Sequence, residues 1–380
     1  MRNEIYLDNS ATTMLCKEAL NKTVDVLENH YGNPSSLHKK GFEAEKIVLE
    51  AKKNIAAGLG CETDEIIFTS GATEANNLAV IGIANALKRR GNKIITTAIE
   101  HPSVLEAMKK LEQQGFEVCY VTPNKNGEIT KEDILKLVDE NTLLISMMLV
   151  NNETGLLLPV FDIAKSAKEV NPNVKIHIDA VQGFLKIPFK INKTQVDLLT
   201  ISGHKIYAPK GIGVLYIKKG TRLLPQIFGG GQQNGIRPGT EPTALIAGLG
   251  AAVLANMQLI DDNFKKFLFL KEYFLDELSN IEQIKINSTD KCVPYIINIS
   301  VGQIRSEVLL HFLEQLNIFV SSGSACSKGK KSHVLTAMGL ENNRIDSAIR
   351  ISFSNKTTTQ ELKTLVDALK LALTTLHTSA

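Results

Sequence analysis

Residues 174–219 read VKIHIDAVQGFLKIPFKINKTQVDLLTISGHKIYAPKGIGVLYIKK and hold three short apolar runs, VKIHID, VDLLTIS and GVLYIKK. Each run is apolar without an obvious polar face, the pattern of a strand buried on both sides. Four more runs precede them: EIIFTS (65–70), KIITTAIE (93–100), FEVCYV (116–121) and TLLISMMLV (142–150). Between the runs lie segments of helical period, such as EANNLAVIGIANALKRR, which follows a Gly-Ala-Thr turn and ends in basic residues before Gly91. Short apolar runs alternating with helices are the signature of βαβ units, so one parallel or mixed sheet covered by helices is predicted.

Beyond about residue 255 the texture changes to long amphipathic helices and shorter strands such as YIINIS. Phe267, Leu270, Phe274, Leu278 and Ile281 share one stripe. The last segment opens with threonine caps and sets Leu362, Leu365, Val366, Leu369, Leu373 and Leu376 on one face. The fold class is therefore α/β. It comprises a large domain, residues 15–255, with a mostly parallel seven-stranded sheet covered by helices, and a smaller α+β domain made of residues 1–14 and 256–380.

Composition narrows the function. The 380 residues carry 43 Lys and Arg against 40 Asp and Glu, a net charge of +3 that offers no basic field to nucleic acid. Hydrophobic residues at 43% and charged ones at 22% suit a globular protein. The five cysteines are never spaced as C-x-x-C, so neither a disulfide frame nor a metal cluster is indicated, and a cytoplasmic setting is expected. No membrane span is expected either: Ala244 to Ile260, the most apolar stretch, is interrupted by Asn256 and Gln258 and reads as a buried helix. Gly229-Gly230-Gly231 is not set as a dinucleotide fingerprint, which argues against a nicotinamide dehydrogenase.

Unusual polar residues recur just past the ends of the apolar runs: Thr73, His101, Asn152, Asp179 and Lys205. In an open α/β sheet the carboxyl ends of parallel strands border the ligand crevice, so residues at those positions can converge. Taken singly, Asp179 reads as a cap or ion pair, Lys205 as a surface lysine and His101 as a loop histidine. A strand-end carboxylate together with a strand-end lysine suits pyridoxal phosphate, whose ring nitrogen wants an anion and whose aldehyde wants an amine. Ser70-Gly71-Ala72-Thr73 supplies a strand end, a glycine turn and a helix start for its phosphate, and Ser202 and His204 form a second donor set. Arg350, within AIRISF, needs an anion if buried, either a structural carboxylate or a substrate's. Cys119, inside FEVCYV, is expected to be buried and inert, whereas Cys326 sits among glycine, serine and three lysines that favour its thiolate, which marks a candidate nucleophile.

The motifs YLDNSATT, YGNPSSLH, FTSGATEANNLA, EHPSV, VNNETG, HIDAVQ, SGHKIYAPKGIG, GGGQQNGIRPGT, SSGSAC and SHVLTAMG occur in this order. In them the chain resembles the cysteine desulfurases of the class V aminotransferase group nearly end to end. The resemblance implies a fold-type I pyridoxal 5'-phosphate enzyme that acts as a homodimer. It implies that Lys205 binds the cofactor aldehyde and moves protons, Asp179 pairs with the ring nitrogen, Gln182 approaches the ring hydroxyl and His101 stacks on the ring. Ala72, Thr73, Ser202 and His204 are implied to hold the phosphate, with Thr240 reaching it from a partner subunit. Asn152, close to the cofactor, and Arg350 are implied to hold the substrate carboxylate. Cys326 would take sulfur from L-cysteine as a persulfide and pass it to an acceptor, an iron-sulfur scaffold or a tRNA-thiolation enzyme. Only Ser327 to Lys331 separate it from Ser332, fewer residues than is common in that branch, and no proline precedes the serine. Rival expectations are a selenocysteine lyase or small-amino-acid transaminase of the same fold, and a non-catalytic sulfur-relay scaffold.

Overall fold

The computed structural model describes residues 4–322 and 331–376. Twelve strands occur among them: β1 (Ile5–Tyr6), β2 (Ile66–Thr69), β3 (Lys93–Thr97), β4 (Glu117–Val121), β5 (Thr142–Met148), β6 (Lys175–Asp179), β7 (Leu198–Ser202), β8 (Gly213–Ile217), β9 (Ile284–Ile286), β10 (Ile296–Val301), β11 (Ile318–Phe319) and β12 (Ala348–Ser352). Seven of these form the central sheet in the order β2-β8-β7-β6-β5-β3-β4. From β7 through β6, β5 and β3 to β4 all pairs are parallel, and β8 alone runs against its neighbours β2 and β7. The mostly parallel seven-stranded α/β sheet expected from the apolar runs is thus the observed one.

Every residue of β2, β5, β7 and β8 is buried, because helices such as Ala72–Leu87, Pro102–Gln113 and Val160–Val170 cover the two faces. The third run departs from expectation. FEVCYV becomes β4 at the sheet's edge, where Glu117 is exposed and only Val121 of the strand is fully buried. Cys119 is accordingly half-buried rather than sunk in the core. β4 has one sheet neighbour and lies open to water, whereas the other edge strand, β2, is covered and wholly buried.

Helix Thr243–Asn256 is mostly buried, with Leu254 exposed, and it stops short of Ile260, the expected end. Ile260 instead opens the amphipathic helix Ile260–Ser279, bent by 71° from its predecessor, and no single helix among the described residues is long and apolar enough to cross a membrane. The break falls at Asn256, which is buried and turns its side-chain amide back onto the carbonyl of Ala252. The stripe of Phe267, Leu270, Phe274 and Leu278 is buried as drawn.

Beside the large sheet, β9, β10 and β12 form an antiparallel sheet in the order β12-β10-β9, and β1 pairs in parallel with β11. The amide of Ser352 donates to the carbonyl of Leu7 at 2.7 Å, tying the start of the chain to its last strand. Helix Thr359–Thr375 closes this unit, with Thr358 and Glu361 capping each other reciprocally. Leu362, Leu365, Val366 and Leu369 are fully buried beneath it, while Leu373 and Leu376 are only partly covered.

Candidate active site

A cavity of about 610 Å³ opens at the carboxyl ends of the parallel strands. Its lining includes Ala72, Thr73, His101, Asn152, Asp179, Gln182, Ser202, His204, Lys205 and Arg350. Of the residues singled out in the sequence, ten converge here from four strand ends, a helix start and β12. Thr240 does not: it is exposed and faces no part of this chain's own cavity. Cys326 lies outside the described residues.

Lys205 ends a tight turn, Gly203–Lys205, that leaves β7. Its amine donates to the carbonyls of Ser10 and Ala11, the latter at 2.7 Å, so the N-terminal segment forms one wall of the site. Two residues on, Tyr207 has φ +65°, a left-handed backbone that costs a bulky residue about 1–2 kcal/mol. Thr13 holds that conformation: its hydroxyl accepts from the Tyr207 amide at 2.8 Å and donates to the carbonyl of His204 at 3.0 Å.

Asp179 closes β6 and is buried, yet both of its oxygens are satisfied. Asn76 donates to Oδ2 at 2.7 Å, and the amide of Val181 donates to Oδ1 at 3.0 Å. The same Asn76 amide group donates to Ser103 Oγ at 2.9 Å, and that hydroxyl lies 2.8 Å from His101 Nδ1. Because the Ser103 amide also donates to Nδ1, at 3.1 Å, the neutral His101 ring carries its proton on Nε2. Burial pulls the imidazole below its ordinary value; Asp179 opposes this, while Lys205 and His333 add to it. His204 is pushed down to about 4, first by burial and then by the charges of Lys205, Lys210 and Lys186. Both rings are therefore mainly neutral at pH 7, each with one nitrogen that donates and one that accepts.

Helix Ala72–Leu87 begins at Gly71 with no side chain capping its first turn, which leaves donors beside Ala72 and Thr73 at the cavity wall. Gly71 has φ +156°, and the position of a Cβ there is open space. Behind it Gly213 packs so closely that a Cβ would lie 2.7 Å from the Gly71 Cα. Two glycines thus let a turn of bare backbone sit against β8.

Arg350, 2% exposed, donates from Nη2 to Asp8 Oδ1 at 2.6 Å and from Nη1 to the carbonyl of Asn152 at 2.8 Å. Its Nε is buried without a partner among the described residues. Asp8, within YLDNSATT, was not singled out in the sequence. Nor were Asn76, one helical turn from Thr73, and Glu100, beside His101, although their spacing points to the same place. Glu153, fully buried, accepts from Ser332 Oγ at 2.5 Å; His333 Nε2 lies 2.9 Å from the carbonyl of Glu100. These two contacts pin the chain where it leaves the segment that contains Cys326.

The family model described as aminotransferase class-V matches residues 5–365. The chain is similar to the cysteine desulfurase IscS of Dictyoglomus turgidum, 39% identical over 382 residues that cover 100% of this chain and 96% of that protein. It is also similar to the cysteine desulfurase IscS of Buchnera aphidicola subsp. Schizaphis graminum, 40% identical over 371 residues that cover 96% and 91% of the two chains. Among solved structures, a NifS-like protein superposes with a TM-score of 0.93 at 36% identity, covering 98% of this chain and 100% of that one.

Proposed function

The chain belongs to the class-V aminotransferase family, and on that premise we propose that it is a cysteine desulfurase, converting L-cysteine to L-alanine with the sulfur passed to Cys326. The observation that carries the reading is one cavity bordered by an amine, a buried carboxylate and an uncapped helix start, Lys205, Asp179 and Ala72–Thr73.

That donor set fits pyridoxal 5'-phosphate. Asp179, buried and accepting two hydrogen bonds, suits a protonated ring nitrogen; the backbone turn at Gly71, with Thr73, Ser202 and His204, suits a phosphate. When bound, this group supplies an electron sink for the substrate's α-carbon. Lys205 would anchor it and afterwards carry protons at its freed amine. His101, neutral and held by Ser103, would stack on the ring, and Gln182 would donate to its hydroxyl oxygen. Thr240 of a partner subunit would complete the phosphate site in a homodimer.

Arg350 and Asn152 would hold the substrate carboxylate. The Cys326 thiolate would attack the substrate sulfur. The electron pair of the broken carbon–sulfur bond ends in a new C–H bond of alanine, with the proton brought by Lys205. One thiol and one cysteine become one persulfide and one alanine, with no outside oxidant. The outer sulfur of that persulfide would then pass to a thiol of an acceptor protein of iron-sulfur assembly or tRNA thiolation, in the cytoplasm, leaving Cys326 as a thiol again.

The test is to load the protein with pyridoxal phosphate, add L-cysteine and a reductant, and follow alanine and sulfide. The wild type should acquire the cofactor's visible absorbance and release both products. Cys326→Ala should lose sulfide release while keeping the absorbance. Full release of alanine and sulfide in that variant would point instead to a lyase that needs no thiol, and loss of cysteine without either product to a transaminase.

A further inference from the structure

Lys186 has no part in the chemistry above, yet it is 8% exposed and makes no ion pair among the described residues. The residue before it, Leu185, has φ +58°, a left-handed backbone that persists in a non-glycine residue only where its surroundings impose it. Lys186 Nζ donates to Gln182 Oε1 at 3.4 Å and lies 5.3 Å from the centre of the Tyr295 ring. Tyr295 is itself buried and donates its hydroxyl to the main-chain carbonyl of Gln182 at 2.8 Å. Gln182 is therefore gripped at both its backbone and its side chain.

The other end of the Gln182 amide faces the site. Its Nε2 donates at 2.9 Å to the carbonyl of Ser10, which also accepts from the Lys205 amine. An amide can be flipped, exchanging its oxygen and nitrogen, unless its neighbours discriminate. Here they do, since the main-chain carbonyl of Ser10 only accepts hydrogens, and the Lys186 amine offers them in its charged and neutral forms alike. A flipped Gln182 would set NH₂ against Nζ and oxygen against oxygen. In the observed orientation one Nε2 hydrogen is used by Ser10, which leaves the second for an acceptor in the cavity. The groups that act on Lys186 are cationic or neutral: Lys205 and His204 after β7, Arg350 of β12, and Tyr295 ahead of β10. Burial, then the charges of Lys205 and Arg350, brings its amine down to about 7.

We infer that Lys186 is a positioning residue, which locks the Gln182 amide so that it presents a donor and never an acceptor to the cofactor's ring oxygen. The inference rests on the reading that the cavity takes pyridoxal phosphate.

The experiment compares wild type, Lys186→Met and Lys186→Gln, each loaded with pyridoxal phosphate, by titrating the bound cofactor's visible absorbance against pH. Methionine fills the space but cannot donate, whereas glutamine can. A ring oxygen that loses a donor holds the neighbouring proton more tightly. Lys186→Met should therefore raise the absorbance midpoint by about half a unit to one unit, the size of one hydrogen bond. Lys186→Gln should stay near wild type, and in a Gln182→Leu background Lys186→Met should add nothing. Lys186→Leu serves as a second non-donating replacement should the methionine variant not fold. A wild-type midpoint in the non-donating variants, an equal shift with glutamine, or a full shift without Gln182 would each overturn the inference. Failure of the wild type to take up the cofactor would overturn the functional reading and this inference with it; normal loading with unshifted variants overturns the inference alone.

Discussion

Glu100 is fully buried at the end of the segment that follows β3. Its Oε1 accepts from Thr97 Oγ1 at 2.6 Å and from the Met148 amide at 3.0 Å, and its Oε2 has no partner among the described residues. Burial pushes the carboxyl from an ordinary 4.5 up to about 8; the two hydrogen bonds oppose the rise, and the charge of Asp179 adds to it. Between those values the folded protein keeps a proton that the unfolded chain has released. Stability therefore falls with rising pH, by about 1.4 kcal/mol per unit at most. The contribution is intact below about 4.5 and gone above about 8, a total of about 5 kcal/mol from this one residue. Glu100→Gln keeps the Oε1 acceptor and cannot titrate. Its unpartnered amide hydrogens add a penalty of about 1–3 kcal/mol that does not depend on pH. Guanidinium unfolding from about pH 5 to about pH 9, at fixed protein and cofactor concentration, should show the difference between variant and wild type moving in the variant's favour up to about pH 8, then levelling. Parallel profiles for the two proteins would refute the reasoning, because they would mean that Glu100 is ionised in the fold at neutral pH.

Three further outcomes are expected. Gly213→Ala places a methyl about 0.7 Å too close to the backbone of Gly71, measured against the 3.4 Å of ordinary contact. It should cost about 1–3 kcal/mol in unfolding free energy and weaken pyridoxal phosphate binding about tenfold, as read by absorbance titration; unchanged affinity would separate the turn from the phosphate. Arg350→Lys cannot serve both Asp8 and a substrate carboxylate with one ammonium, so KM for cysteine should rise about tenfold with a smaller change in kcat, and an unchanged KM would place the carboxylate elsewhere. Ser332→Ala removes both the bond to Glu153 and the cap on the Leu335 amide, and should lower stability by about 1–2 kcal/mol in denaturant titration; wild-type stability would mean that this junction is not anchored there.

Ser332 also illustrates what a reading of the chain in order can and cannot reach. Lys205, Asp179 and Asn152 were legible because a parallel strand's carboxyl end faces the crevice whichever neighbours it has, so a polar residue after an apolar run already says where it points. Glu153 and Ser332 carry no such signal. They lie 179 residues apart, and each acquires meaning only from the other. The same holds for Asp8 and Arg350, separated by 342 residues, where sequence left open whether the arginine's anion was structural or a substrate. The structure supplies a structural carboxylate, Asp8, and leaves Nε buried without a partner among the described residues. Strand order obeys the same logic. FEVCYV and VDLLTIS are similar in apolarity, yet one is the edge and the other lies two strands from the opposite edge, because crossovers, not composition, decide which strands become neighbours. Burial of Cys119 hung on that ordering and on what covers the edge, and the residues of the run itself contain no information about either. What a residue can do alone is written locally; what it does as half of a pair depends on the fold that brings the other half to it.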